Sequence, residues 1–126
     1  MIRVARIFIT GTTVMIAPNP ISMTDSQSKH DVFIVNFELG RNSKKFVELG
    51  YSGGFVSCAV IAVTIYEALK KSEAALKQDG YEIIFIESAT VFEVSDWQHD
   101  LGMIEMVQSL SDDNSLKYSE FEVYGQ

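Results

Sequence analysis

Five residues in the middle of the chain, Gly50-Tyr51-Ser52-Gly53-Gly54, carry the spacing on which serine chemistry is often built. In a Gly-x-Ser-x-Gly turn between a strand and a helix, the hydroxyl stands clear of the backbone where a base can take its proton. The same glycines placed before a helix would leave backbone N–H groups open to a phosphate or carboxylate. A third reading is steric, because glycine lets a chain reverse tightly and start its next element close to a sheet. Ser52 is therefore a candidate nucleophile, and Tyr51, Ser52, Gly53 and Gly54 are candidate anion ligands. His30, in the polar stretch 18–31, is the histidine that a pocket at this turn would recruit.

Over these five residues the chain resembles the nucleophile elbow of the α/β-hydrolase family, since KKFVEL reads as the strand before the turn and FVSCAVIAV as the start of a helix after it. That resemblance implies a serine nucleophile served by an acid and a histidine from later loops. The chain departs from it at the histidine. His99 is the only one after Ser52, and it is followed directly by Asp100 on a predicted helix, where side chains one residue apart do not face each other. No catalytic dyad can be assembled from His30, His99 and Cys58, so the expectation leans away from an enzyme and toward a structural turn at Ser52.

A second group, Glu93, Asp96, His99, Asp100 and Glu105, lies in and before a predicted short helix. Asp96, His99 and Asp100 share one face at spacings of three and four, as a zinc or hard-cation site needs, but no ligand from elsewhere is identifiable. Acids in a first helical turn are expected from the helix dipole alone. No metal and no cofactor are expected. Cys58 is the single cysteine, which excludes an internal disulfide and a multi-thiolate zinc site. Its apolar neighbours make it a small buried thiol, and a reducing, cytoplasmic setting suits it.

Charge is distributed unevenly. Residues 1–50 carry six bases against four acids, whereas residues 51–126 carry four lysines against thirteen acids, giving the net charge of -7. After Gly80, Lys117 is the sole base among ten acids. A field of this sign repels nucleic acid and anionic lipid and attracts a basic partner. Glu93, Asp96, Asp100, Glu105, Asp112 and Asp113 are the candidate partner-binding residues. An uncharged run of 18 residues between Glu48 and Glu67 is interrupted by Gly50, Ser52, Gly53, Gly54, Ser57 and Thr64, and suits a buried helix better than a membrane span. The N-terminal apolar stretch is interrupted at Gly11, Thr12 and Thr13 and reads as strands, not as a secretory leader.

These residues must be held by a scaffold, and the periodicities give one. Apolar residues are 47 % of the chain and charged residues 21 %, as expected of a globular domain, and 126 residues suit a single domain spanning 1–126. Residues 2–10 and 13–17 suggest a hairpin. VFIVNFEL and KKFVEL, joined by GRNS, suggest a second. A helix over about 55–78 follows, stopped by Gly80, with an all-apolar first half and Glu67/Lys71 and Glu73/Lys77 pairs on its second. YEIIFI reads as a strand buried on both faces, with TVFEV continuing past a bulge or folding back. Ser95 and Gln98 have capping-box form for a helix over about 96–110, and KYSEFEVY reads as an exposed or edge strand. The expected fold is α+β, a mainly antiparallel sheet of about five to six strands packed on one long helix, with a second short helix.

The apolar first half of the long helix has no solvent face, which predicts a homo-oligomer, dimer or higher, with a second copy covering it. The function expected is a small acidic binding protein of immunity or inhibitor type, engaging a basic partner through its C-terminal third and presenting carboxylates where the target expects phosphates. The alternative is a small oligomeric enzyme or ligand-binding protein with a pocket near Gly50–Gly54.

Overall fold

A computed structural model of the chain describes the backbone of residues 5–7 and residues 30–125. The expected N-terminal hairpin lies outside them, apart from a short strand β1, Ala5–Ile7. The elements that follow are β2 (Asp31–Gly40), α1 (Lys44–Leu49), β3 (Gly53–Ala62), α2 (Ile65–Gln78), β4 (Ile83–Val91), a 3-10 turn (Val94–Trp97), α3 (Leu101–Gln108), β5 (Leu116–Tyr118) and β6 (Phe121–Tyr124). The sheet is antiparallel, ordered β1-β6-β3-β2-β4, with β5 alongside β6 against the same edge of β3. The α+β class is as the periodicities suggest.

The long helix is present but begins ten residues later than expected. Residues 55–62 belong to β3, which pairs along its whole length with β2, Asp31 opposite Ala62 through Gly40 opposite Gly53. A strand enclosed on both faces has no polar side, so a run such as FVSCAVIAV fits a central strand as well as a buried helix. Thr64 marks the true start of α2: its hydroxyl accepts from Glu67 N at 3.1 Å, and the Glu67 carboxylate accepts from Val63 N at 2.7 Å. That reciprocal pair is the capping arrangement expected at a helix N-terminus. With residues 55–62 in a sheet, the premise for a second copy over an apolar helix lapses.

KKFVEL is likewise a helix, α1, and not a strand. Only Phe46 of its six residues is buried, and Gly50 ends it at φ 79, a conformation that disfavours side chains with a Cβ. The 96–110 helix is divided into the 3-10 turn and α3, which Asp100 caps by accepting from Met103 N at 3.0 Å. Thr90 and Val91 of TVFEV continue the preceding strand past a register irregularity, after which the chain leaves the sheet and Val94 begins the 3-10 turn. That strand is not buried on both faces, because β4 ends the described sheet and leaves Ile84 52 % and Phe85 58 % exposed. KYSEFEVY is broken at Ser119-Glu120, and the two-residue gap flips the alternation, so Tyr118 is buried beside Phe121 instead of facing outward.

The core lies between the sheet and α2. Phe33, Val35, Phe37 and Leu39 of β2, Val56, Cys58 and Val60 of β3, and Phe121 and Val123 of β6 meet Ala68, Ala75 and Leu76 of α2. Phe46, Tyr81, Phe121 and Tyr118 form a chain of aromatic contacts with centroids 5.0–5.8 Å apart. The opposite face carries a smaller cluster in which Ile34, Ala59 and Met103 are buried under the 3-10 turn and α3. No helix among the described residues is long and apolar enough to cross a membrane.

Candidate functional site: a groove under α3

The glycine-rich turn joins a helix to a strand, the reverse of the strand-to-helix order a nucleophile elbow requires. Gly50 caps α1, while Gly53 and Gly54 already lie in β3, so no helix N-terminus stands here to cradle an anion. What the two glycines supply is room. A Cβ on Gly53 would fall 2.9 Å from the Leu39 carbonyl oxygen, and one on Gly54 would fall 2.8 Å from that of Glu122. Ser52 donates its backbone N–H to the Tyr124 carbonyl at 2.8 Å, tying the turn to β6. His30 precedes Asp31 at the far end of β2, about 30 Å along the strand from the Gly40–Gly53 pair. The turn and its expected histidine are therefore not brought together. Among the described residues, no group of three or more His, Cys, Asp and Glu side chains is placed to hold a metal ion.

The molecule's notable concavity lies elsewhere. α3 covers only part of its sheet face, and beside it runs a groove of about 880 Å³. The length of α3, about 12 Å, sets one wall; Gly102, Glu105, Met106 and Ser109, spaced at three and four residues, line it. The floor is sheet. Alternation that places Ile34 and Ala59 under α3 places Asn36 of β2 and Phe55 and Ser57 of β3 farther along the same face. Lys117, Ser119, Glu120 and Glu122 from the β5–β6 side and Glu87 from the irregular part of β4 complete the lining, and Trp97 and Asp100 close one end.

The floor is hydrogen-bonded in a defined direction. The Ser57 hydroxyl donates to Asn36 Oδ1, and Asn36 Nδ2 donates to Ser88 Oγ at 2.7 Å. Ser119 Oγ accepts from Ser57 N at 2.9 Å and donates to the Glu120 carbonyl at 3.0 Å. Lys117 donates to Ser109 Oγ at 2.7 Å. Beyond the lining, Tyr124 Oη donates to Glu38 Oε2 at 2.8 Å; burial, that bond and the Glu38 charge together raise its pKa. Its ring lies 5.6 Å from that of Phe55. Among the described residues acids prevail, with Glu87, Asp100, Glu105, Glu120 and Glu122 lining the groove alongside the cation Lys117.

Of the acids singled out in the sequence, Asp100 and Glu105 line the groove, whereas Glu93, Asp96, Asp112 and Asp113 are exposed outside its lining. Tyr51, Ser52, Gly53, Gly54 and His30 do not line it. His99 is exposed and stacks on Trp97, centroids 6.1 Å apart. Cys58 is fully buried on the α2 side, and burial pushes its thiol pKa up, the opposite of what a reactive cysteine needs. Sequence reasoning missed Asn36, Ser57, Glu87 and Ser119. Asn36 and Ser57 did leave a signal, as polar residues in the middle of the two most apolar runs, VFIVNFEL and FVSCAVIAV. No family model matches the chain, and no match is found among curated proteins or among solved structures.

Proposed function

We propose that this chain is a binding protein and not an enzyme, and that it takes a basic segment of a partner protein into the groove beside α3. The observation that carries this reading is the predominance of carboxylates, Glu87, Asp100 and Glu105 among them, in the described lining of a hollow of about 880 Å³. Glu87 and Glu105 have no ion-pair partner among the described residues and are exposed at its margins. The surrounding acidic field, ten acids to one base after Gly80, would steer a cationic segment toward it from a distance. Proteins of immunity or inhibitor type use the same physics, and no nucleophile is paired with a base among the described residues, which favours binding over catalysis.

Trp97 is the only tryptophan and lines the groove, so its emission reports occupancy without a label. Titration with a short lysine- and arginine-containing peptide is expected to give a saturable change at low salt that weakens at least about tenfold between roughly 50 and 500 mM salt. Glu87→Gln combined with Glu105→Gln is expected to weaken binding by a similar factor. Absence of a saturable change, or affinity indifferent to salt and to both substitutions, would overturn the reading.

A further inference from the structure

We infer that the groove's specificity is for arginine, seated with its guanidinium on the Asn36–Ser57 floor; this rests on the basic-partner reading above. The inference comes from counting what the groove offers a ligand. The single proton of the Ser57 hydroxyl is committed to Asn36 Oδ1, and that of Ser119 to the Glu120 carbonyl. Each hydroxyl therefore faces a ligand with lone pairs only. Glu87 and Glu105 are acceptors as carboxylates at the exposed margin of the groove. Donors are fewer in the described lining, where one N–H of Asn36 Nδ2 is spent on Ser88 Oγ and one of Lys117 Nζ on Ser109 Oγ.

A hollow that is rich in acceptors selects a ligand that is all donor. An ammonium has three N–H groups on a point, whereas a guanidinium has five in a plane and no acceptor. The plane matters here. Phe55 stands on the same sheet face as Ser57, two residues away, and offers an aromatic ring against which a flat cation can stack. Carboxylates, hydroxyl lone pairs and an aromatic ring in one lining match the planar fork of arginine better than the sphere of lysine.

The test compares two peptides of identical length and charge, one with arginine and one with lysine at every basic position, read through Trp97 emission. The arginine peptide is expected to bind about five- to tenfold more tightly, and Ser57→Ala to reduce that ratio toward one. Ser119→Ala serves the same purpose if Ser57→Ala loses its cooperative thermal transition. Equal affinities, with the Glu87 and Glu105 substitutions still weakening both peptides, would overturn the arginine inference and leave the basic-partner reading standing. Failure of both peptides to bind would overturn the two together.

Discussion

On the α2 side of the sheet, β2 contributes Phe33, Val35, Phe37 and Leu39, all buried; on the α3 side the same strand contributes Ile34, Asn36 and Glu38, of which only Ile34 is buried. β3 divides in the same way, with Val56, Cys58 and Val60 on one face and Phe55, Ser57 and Ala59 on the other. One face is thus a continuous apolar layer under a 14-residue helix, and the other is a short apolar patch under an 8-residue helix that gives way to polar side chains. Burial of apolar area holds the fold together, and it is concentrated on the α2 side. The α3 side is free to be polar because less of the apolar burial lies there, and that freedom is what a recognition surface needs.

Truncation is the most forceful way to break this contrast. Phe37 is fully buried, and Phe37→Ala is expected to cost about 3–5 kcal/mol by lost transfer energy and cavity formation. Phe55→Ala, on the groove side and only partly buried, is expected to cost well under half as much. Urea denaturation of both variants checks this, and similar midpoints for the two would abolish the distinction between the faces.

Alkaline titration sharpens the contrast from another direction. Burial, with the Asp79 charge added, pushes Tyr81 up to about 12, and burial raises the Cys58 thiol. Both groups bind their proton more tightly folded than unfolded, so the stability they contribute is complete below their unfolded values and is lost as pH rises. Stability is therefore expected to fall from about pH 9 upward, first through Cys58 and then, between about 10 and 12, through Tyr81. Tyr81→Phe should flatten the decline above about pH 10 and Cys58→Ala should flatten it from about pH 9 upward, in denaturation midpoints measured across the range, whereas Ser57→Ala on the opposite face should change neither.

The contrast also explains what the sequence conceals. Alternation in VFIVNFEL is correct for β2, and the class of fold follows from such patterns. GFVSCAVIAV, however, shows almost no polar side because α2 covers one face of the strand and α3 part of the other, and a run whose polar side is Ser57 alone has little period to read. Its length then merges with that of α2, although Thr64 and Glu67 mark the junction with a cap. KKFVEL fails for the opposite reason, since a six-residue helix with one buried side chain is too short to display a helical stripe. The groove is less legible still. Its acids Asp100 and Glu105 stand out by charge, but Asn36 and Ser57 are 21 residues apart and become neighbours only through the pairing of β2 with β3.

A more modest effect tests the floor itself. Ser57→Ala removes the donor to Asn36 Oδ1 from a site that is only partly buried, so thermal or urea denaturation should register a loss of about 1 kcal/mol. A loss comparable to that of Phe37→Ala would mean that the polar floor carries the fold, contrary to its role as a surface.

The smallest expected change in stability, at Gly102, separates folding from recognition most cleanly. Gly102 is in the first turn of α3 and lines the groove, and a Cβ there would meet only Asp100 Oδ1, at 3.5 Å, an ordinary contact. Gly102→Ala should therefore stabilise the chain by up to about 0.5–1 kcal/mol, because alanine loses less backbone entropy in a helix. Gly102→Leu leaves the same backbone benefit but projects a bulky side chain into the hollow, so it should keep the melting temperature while reducing peptide binding measured at Trp97. If the leucine variant bound peptide as the parent does, the ligand would not enter beside α3, and the polar half of this sheet would need another explanation.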